Sequence, residues 1–285
     1  MALLEARGLT VTYGGLNAND EIDLECESGK LVGLIGPNGA GKTTFIDAIT
    51  GFTPVTHGYV SFDGVDLEGL RPDARAKLGL VRTFQSLELF EDLTVRDNLL
   101  VAADQPKWYS FLSDIVLPSR GKAAALERID VALNAMELGD LADKHPSDLS
   151  HGQRKLVGVA RALAANPKLL LLDEPAAGLD TKESQLLGAH LRGFLDLGVS
   201  LFLIDHDMGL VLNVGDYIYV LDVGTVIAHG TPAQVRADPA VIAAYLGESA
   251  GEAQAEAGMA ATRSAEAMAS QSTTSQTGAS EAENE

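Results

Sequence analysis

Short apolar runs recur along the chain, separated by stretches with helical periodicity. Leu31–Ile35, Leu78–Val81, Leu169–Leu172, Ser200–Ile204 and Tyr217–Leu221 are predicted as strands. Several are apolar throughout, as strands covered on both faces should be. Leu126, Ile129, Leu133 and Met136 recur at helical spacing. Thr94 followed by Asp97 has the pattern of a capping box and predicts a helix over Val95–Ala102. The middle of the chain is therefore mostly helical, and strands with helices lie on either side of it. That order predicts an α/β core with an inserted helical lobe. No internal repeat is visible.

Composition narrows the function classes. The 285 residues are 46% hydrophobic, enough for a sizeable core. A formal net charge of −19 argues against nucleic acid as a partner, because binding a phosphate backbone needs a cationic face. Cys26 is the single cysteine, so no internal disulfide forms, and no cysteine and histidine cluster has metal-ligand spacing. No apolar run approaches the ~18–20 residues that cross a bilayer, and Met1–Thr10 lacks the basic-then-apolar pattern of a signal peptide. Any membrane role is expected to come through a partner. The segment 248–285 has no Val, Ile, Leu, Phe, Tyr or Trp, and its seven acidic residues against one basic residue leave −13 on the rest. It is expected to be a disordered acidic tail, since it cannot bury enough apolar surface to offset its ordering entropy.

Candidate chemistry begins directly after the run Leu31–Ile35. Gly36, Pro37, Asn38, Gly39, Ala40, Gly41, Lys42, Thr43 and Thr44 match the P-loop pattern between a strand and a helix. Glycines let successive backbone N–H groups turn around a phosphate, and the helix that follows presents its positive end to the same anion. Lys42 is expected on the β and γ phosphates of ATP and the Thr43 hydroxyl on Mg²⁺. The run Leu169–Leu172 ends in two adjacent carboxylates, Asp173 and Glu174. They suit a Walker B element, in which Asp173 serves the Mg²⁺ shell and Glu174 polarises the attacking water as general base. Kinases, GTPases and helicases share these two elements.

Leu149-Ser150-His151-Gly152-Gln153 separates the candidates, because it lies shortly before the second element and resembles the ABC signature motif, with His151 where Gly is more frequent. Ser150 and Gln153 also form a capping-box pattern opening a helix whose apolar face runs Leu156, Ala160 and Leu163. Its N-terminus is a second anion site. On these residues the chain is identified as resembling ABC-type P-loop ATPases, over Leu3 to Gly247. The resemblance implies a mixed-sheet core with an N-terminal antiparallel β subdomain. It divides residues 1–247 into a core of 1–85 and 162–247 and a helical subdomain of 86–161. It also implies roles. Tyr13 resembles the aromatic residue that stacks on adenine, though an exposed strand-edge tyrosine would look the same. Gln85 matches the Q-loop, which senses Mg²⁺ and nucleophilic water, and His206 the switch histidine that contacts the γ-phosphate. Asp180 matches the D-loop, but with Glu183 three residues on it also reads as a helix cap. Both roles can hold at once.

The family implies a head-to-tail dimer with a second ATPase subunit, each ATP lying between the P-loop of one and Ser150, Gly152 and Gln153 of the other. It further implies two membrane permease subunits, an extracytoplasmic solute-binding protein acting indirectly, and a peripheral position at the cytoplasmic face of the membrane. Within the family, Val81-Arg82-Thr83-Phe84-Gln85, Leu89-Phe90, Asn98–Ala102, His206-Asp207-Met208 and Val241–Gly247 resemble the ATPases of branched-chain amino acid uptake. Urea or amide uptake, lipopolysaccharide export and a soluble ABC ATPase without a permease stay open as alternatives.

Overall fold

The computed structural model describes residues 2–83, 89–103, 120–205 and 207–245. Met1–Val241 forms one compact unit, and the described residues from Ile242 on belong to a second. The first opens with two long strands, β1 (Ala2–Tyr13) and β2 (Leu16–Glu27), paired antiparallel. β3 (Leu31–Ile35) follows and runs into α1 (Lys42–Thr50). β4 (His57–Phe62) and β5 (Val65–Asp66) complete a four-stranded antiparallel sheet in the order β2-β1-β4-β5. After α2 (Pro72–Leu78) comes β6 (Leu80–Arg82). Among the described residues three α-helices then intervene: α3 (Val95–Ala103), α4 (Arg120–Ala135) and α5 (His151–Ala164). The chain returns with β7 (Leu169–Asp173), α6 (Thr181–Asp196), β8 (Ser200–Ile204), α7 (Met208–Val214), β9 (Tyr217–Asp222), β10 (Thr225–Gly230) and α8 (Pro232–Ala237). The second sheet has the order β10-β9-β3-β8-β7-β6, parallel except for the β9–β10 hairpin. This is the expected α/β class, with a mixed sheet, an antiparallel sheet and helices inserted between β6 and β7.

β3, β7 and β8 are buried along their whole length, which explains why they read as continuous apolar runs. One core cluster joins the inner face of the antiparallel sheet (Leu4, Leu9, Ile22, Leu24) to α1 (Phe45, Ile46, Ile49) and to Leu171 and Phe202. α1 is thus clamped between two sheets. Its C-terminus is held by Arg75, a buried cation whose guanidinium donates to the carbonyls of Ala48 and Ile49, both at 2.9 Å. A cation on those orphan carbonyls also complements the negative end of the helix dipole. Burial pulls the Arg75 pKa down, but an arginine stays charged.

Cys26 is buried on β2, and desolvation, with a smaller contribution from Glu27, pushes its thiol from 9.0 up to about 12. The folded chain therefore holds this proton between pH 9 and 12, where the unfolded chain has lost it, so stability falls as pH rises through that window. A thiol reagent at pH 8 should leave native Cys26 unlabelled and modify it once denaturant unfolds the chain. Rapid labelling of the native protein would contradict this packing.

Two boundaries differ from the expectation for physical reasons. Leu78 ends α2 rather than starting a strand, because Gly79 adopts φ 104° as its C-cap and β6 begins at Leu80. In α4, Ile129 and Leu133 are buried and Met136 just beyond it is buried too, but Leu126 is 40% exposed. The row continues through Ala125 instead, which is 3% exposed. The segment 248–285 lies outside the described residues.

Candidate functional site

The loop between β3 and α1 forms the floor of the site. Lys42 is buried, and its Nζ donates to the carbonyls of Gly36 at 2.6 Å and Pro37 at 2.8 Å, folding the ammonium under the loop. Gly41 is the N-cap of α1 at φ 98°, and a Cβ there would stand 2.4 Å from the carbonyl oxygen of Ala18. Only glycine lets β2 approach the loop this closely. No side chain caps α1 and its first turn holds no acid, so the positive end of the helix dipole is uncancelled. It opens on a cavity of about 330 Å³ lined by Asn38–Thr44 and Glu174, with Leu16 and Val223 as apolar lining.

The two carboxylates sit at the end of β7. Asp173 is 3% exposed, and its Oδ2 accepts from Arg82 Nη2 at 2.7 Å. Its backbone N–H donates to Thr83 Oγ1 at 3.3 Å, while Oδ1 is buried with no partner among the described residues. A buried carboxylate oxygen left unpaired is costly unless something else satisfies it. Among the described residues no group of three His, Cys, Asp or Glu side chains could cage a metal. Mg²⁺ does not need one, because it keeps several waters and binds through one or two side chains plus substrate phosphates. Asp173 Oδ1 and the Thr43 hydroxyl are a donor set of that kind, so the residues present fit the ion.

Glu174 follows at φ 49°, a left-handed conformation uncommon for a residue with a side chain. Its N–H donates to the Ile204 carbonyl of β8 at 2.8 Å, which holds the turn. Glu174 borders both the P-loop cavity and a second cavity of about 210 Å³ that it shares with Asp173, Arg82 and Lys155. Lys155, on α5, donates to the Ala177 carbonyl in the loop after Glu174. Desolvation lowers its pKa, opposed in part by Asp205 and Glu174. Asp205, fully buried at the end of β8, accepts from the N–H groups of Ala176 at 3.2 Å and Asp207 at 3.0 Å. The strand ends flanking the site are therefore cross-tied through carboxylates.

A second constellation forms at the start of α5. Ser150 Oγ accepts from Gln153 N–H at 3.2 Å and Gln153 Oε1 accepts from Ser150 N–H at 2.9 Å, the reciprocal capping box expected from the spacing. Gly152 packs on α6: a Cβ would lie 2.6 Å from Glu183 Oε1. Asp180 caps α6, its Oδ1 accepting from Lys182 and Glu183 N–H groups, both at 2.8 Å. The apolar face of α5 runs through Val157, Ala160 and Ala164, with Leu163 also buried and Leu156 only half-buried.

The structure thus brings Gly36–Thr44, Asp173 and Glu174 together and groups Ser150, Gly152 and Gln153 beside the first turn of α6. Tyr13 ends β1 half-exposed, with its hydroxyl 3.1 Å from Thr53 Oγ1, and is not among the residues lining the P-loop cavity. Gln85 and His206 lie outside the described residues. Sequence reasoning missed Asp47, Lys155, Asp205, Leu16 and Val223, and it quoted Arg82 only as part of a resemblance. The signal for Asp47 was its spacing, four residues from Thr43 on one helix face.

Residues 19–177 match the ABC transporter family, and residues 225–251 match the family described as branched-chain amino acid ATP-binding cassette transporter. LivG of Escherichia coli (strain K12), a high-affinity branched-chain amino acid transport ATP-binding protein, is 42% identical over 252 residues, covering 86% of this chain and 98% of LivG. The ADP conformation of MJ1267, an ATP-binding cassette of an ABC transporter, superimposes with a TM-score of 0.76 at 32% identity, covering 87% of this chain and all of that one. A dimeric post-hydrolysis structure of the cassette MJ0796 with ADP and phosphate gives 0.66 at 26% identity, covering 80% of this chain and 98% of that one.

Proposed function

The chain belongs to the ABC transporter family and is an ATPase, and from that premise we propose that it drives import of branched-chain amino acids as one of two ATPases on a pair of permeases. The observation that carries the chemistry is the P-loop cavity lined by Glu174, whose neighbour Asp173 has a buried Oδ1 with no partner among the described residues. Gly36–Thr44 bind the phosphates of ATP, Lys42 as a point charge and the backbone as a cradle. Asp173 and Thr43 hold Mg²⁺, which supplies neutralisation of charge on the phosphate oxygens. Glu174 takes a proton from the attacking water, its carboxylate held in line by the bonded turn to β8. Leu16 and Val223 supply apolar lining to the cavity, and Tyr13 stacks on the adenine. Gln85 and His206 serve as sensors of the water and the γ-phosphate.

The family resemblance and the dimeric relative MJ0796 support a shared site, in which Ser150, Gly152 and Gln153 at the start of α5 receive the γ-phosphate of an ATP held by the partner ATPase, with Asp180 at the shared interface. Closure of that dimer passes to the permeases through the helical subdomain, 86–161, and the core, 1–85 and 162–247, moves with the nucleotide. An extracytoplasmic binding protein delivers the solute. Among the described residues no helix is long and apolar enough to cross a membrane; a peripheral position at the cytoplasmic face, held by the permeases, rests on the likeness to transporter subunits.

The solute itself rests on the match at residues 225–251 and on the likeness to LivG. A strain lacking this chain and any redundant importer should lose ATP-dependent uptake of labelled leucine, and His206→Ala should fail to restore it. Normal leucine uptake alongside a defect for urea, or for an exported lipid, would overturn the solute and leave the ATPase assignment standing.

A further inference from the structure

Arg82, Asp47 and Asp173 are far apart in sequence, yet one guanidinium joins them. Arg82 Nη1 pairs with Asp47 on α1, and Nη2 donates to Asp173 Oδ2 at 2.7 Å. Both groups at the heart of the pair are shielded, with the Arg82 side chain 8% and that of Asp173 3% exposed, whereas Asp47 reaches the surface at 30%. A planar guanidinium can hold two carboxylates in fixed directions at once, which an ammonium cannot. Asp47 stands four residues after Thr43, so the two share a face of α1. The bridge therefore ties the strand-end carboxylate to the same helix that carries Lys42 and Thr43.

We propose that Arg82 is a positioning residue for the divalent cation: anchored by Asp47, it fixes Asp173 through Oδ2 so that Oδ1 alone is presented to the cation at the phosphates. This rests on the nucleotide reading of the P-loop cavity. Three observations support it together. Asp173 Oδ1 is buried and has no partner among the described residues, while Oδ2 accepts from Arg82 Nη2. The trio carries a net charge of −1, so the site still attracts a cation despite the arginine within it. Thr83, the next residue, accepts from the Asp173 N–H at 3.3 Å and donates its own N–H to Leu171 at 2.9 Å, fixing the backbone from which Arg82 reaches.

The sign of the effect separates positioning from charge alone. Removing Arg82 makes the trio more negative and, through charge alone, tightens cation binding; removing the charge of Asp47 loosens it. Positioning loosens it in both. The test is Mn²⁺ titration of the full-length, ADP-bound protein, with bound metal read by electron paramagnetic resonance, and ADP affinity measured separately in EDTA. In Arg82→Gln the Mn²⁺ dissociation constant should rise about tenfold or more while ADP affinity in EDTA stays within about twofold. Arg82→Lys should recover part of the loss, since a point charge serves one carboxylate, and Asp47→Asn should weaken Mn²⁺ by about threefold. The double variant should be no worse than Arg82→Gln, because the two residues act as one unit. Unchanged or tighter Mn²⁺ binding in folded Arg82→Gln would overturn the inference. If that variant does not fold, unchanged Mn²⁺ binding in Asp47→Asn would do the same. A wild-type protein that binds Mn²⁺ no better with ADP than without it would instead refute the nucleotide reading, and this inference with it.

Discussion

Glu174→Gln lowers ATP turnover by about 10²- to 10⁴-fold while ATP still binds. The amide keeps the size and hydrogen bonding of the carboxylate but cannot take the proton of the attacking water. It also removes a negative charge from the wall facing the γ-phosphate, so the ATP-bound dimer lives longer. The turn at Glu174 depends on the backbone bond to Ile204 and not on the side chain, and the fold is therefore retained. Steady-state phosphate release measures the first effect. Light scattering with Mg²⁺ and ATP measures the second, where a dimer should accumulate. Turnover at the wild-type rate would remove Glu174 from the general-base role.

Lys42→Ala acts earlier in the cycle. The ammonium is held under the loop by the Gly36 and Pro37 carbonyls, and in the proposed role it meets the β and γ phosphates. A charge-assisted bond of this kind contributes about 1.5–3 kcal/mol, so its loss should weaken ATP binding roughly ten- to a hundredfold. In an acidic protein the penalty is compounded by less screened repulsion between the phosphates and the carboxylates at the end of β7. The buried Gly36 and Pro37 carbonyls lose this donor, a cost on the order of 1–3 kcal/mol, so the melting temperature without nucleotide should fall while the fold survives. Binding of a fluorescent ATP analogue to the folded variant checks this. An affinity equal to that of wild type would mean the loop does not cradle phosphate.

The core of the fold was legible wherever burial on both faces made a strand continuously apolar. β3 and β8 fall on the expected residues, and β7 and β9 differ by the terminal Asp173 and Asp222 alone. Helix starts were equally plain, because Thr94, Ser150 and Asp180 each bond the residue three positions on. β1 and β2 were not legible as paired twelve-residue strands. Register shifts between Ala6 and Leu9, and again between Leu9 and Val11, break the alternation that would betray a half-buried sheet. The site divides along the same line. Residues acting through backbone conformation or local spacing, such as Gly41, Lys42 and Glu174, carry a sequence signal. Arg82 meets partners 35 and 91 positions away, and only the parallel pairing of β6 with β7 puts it against Asp173. Lys155 needs the turn after Glu174 to bring the Ala177 carbonyl within reach. No local pattern announces contacts of that kind.

The central claim is that each ATP lies between the P-loop of one ATPase subunit and the capped start of α5 on another. Orthovanadate with Mg²⁺ and ATP takes the place of the γ-phosphate, and ultraviolet light then cuts the backbone beside it. Mass spectrometry of the fragments should find cleavage within Gly36–Thr44 and, on the partner ATPase subunit or a second copy of this chain, at the start of α5 around Ser150. Both cuts should vanish in Lys42→Ala. Cleavage in the P-loop with none near α5 on either subunit would contradict the shared site.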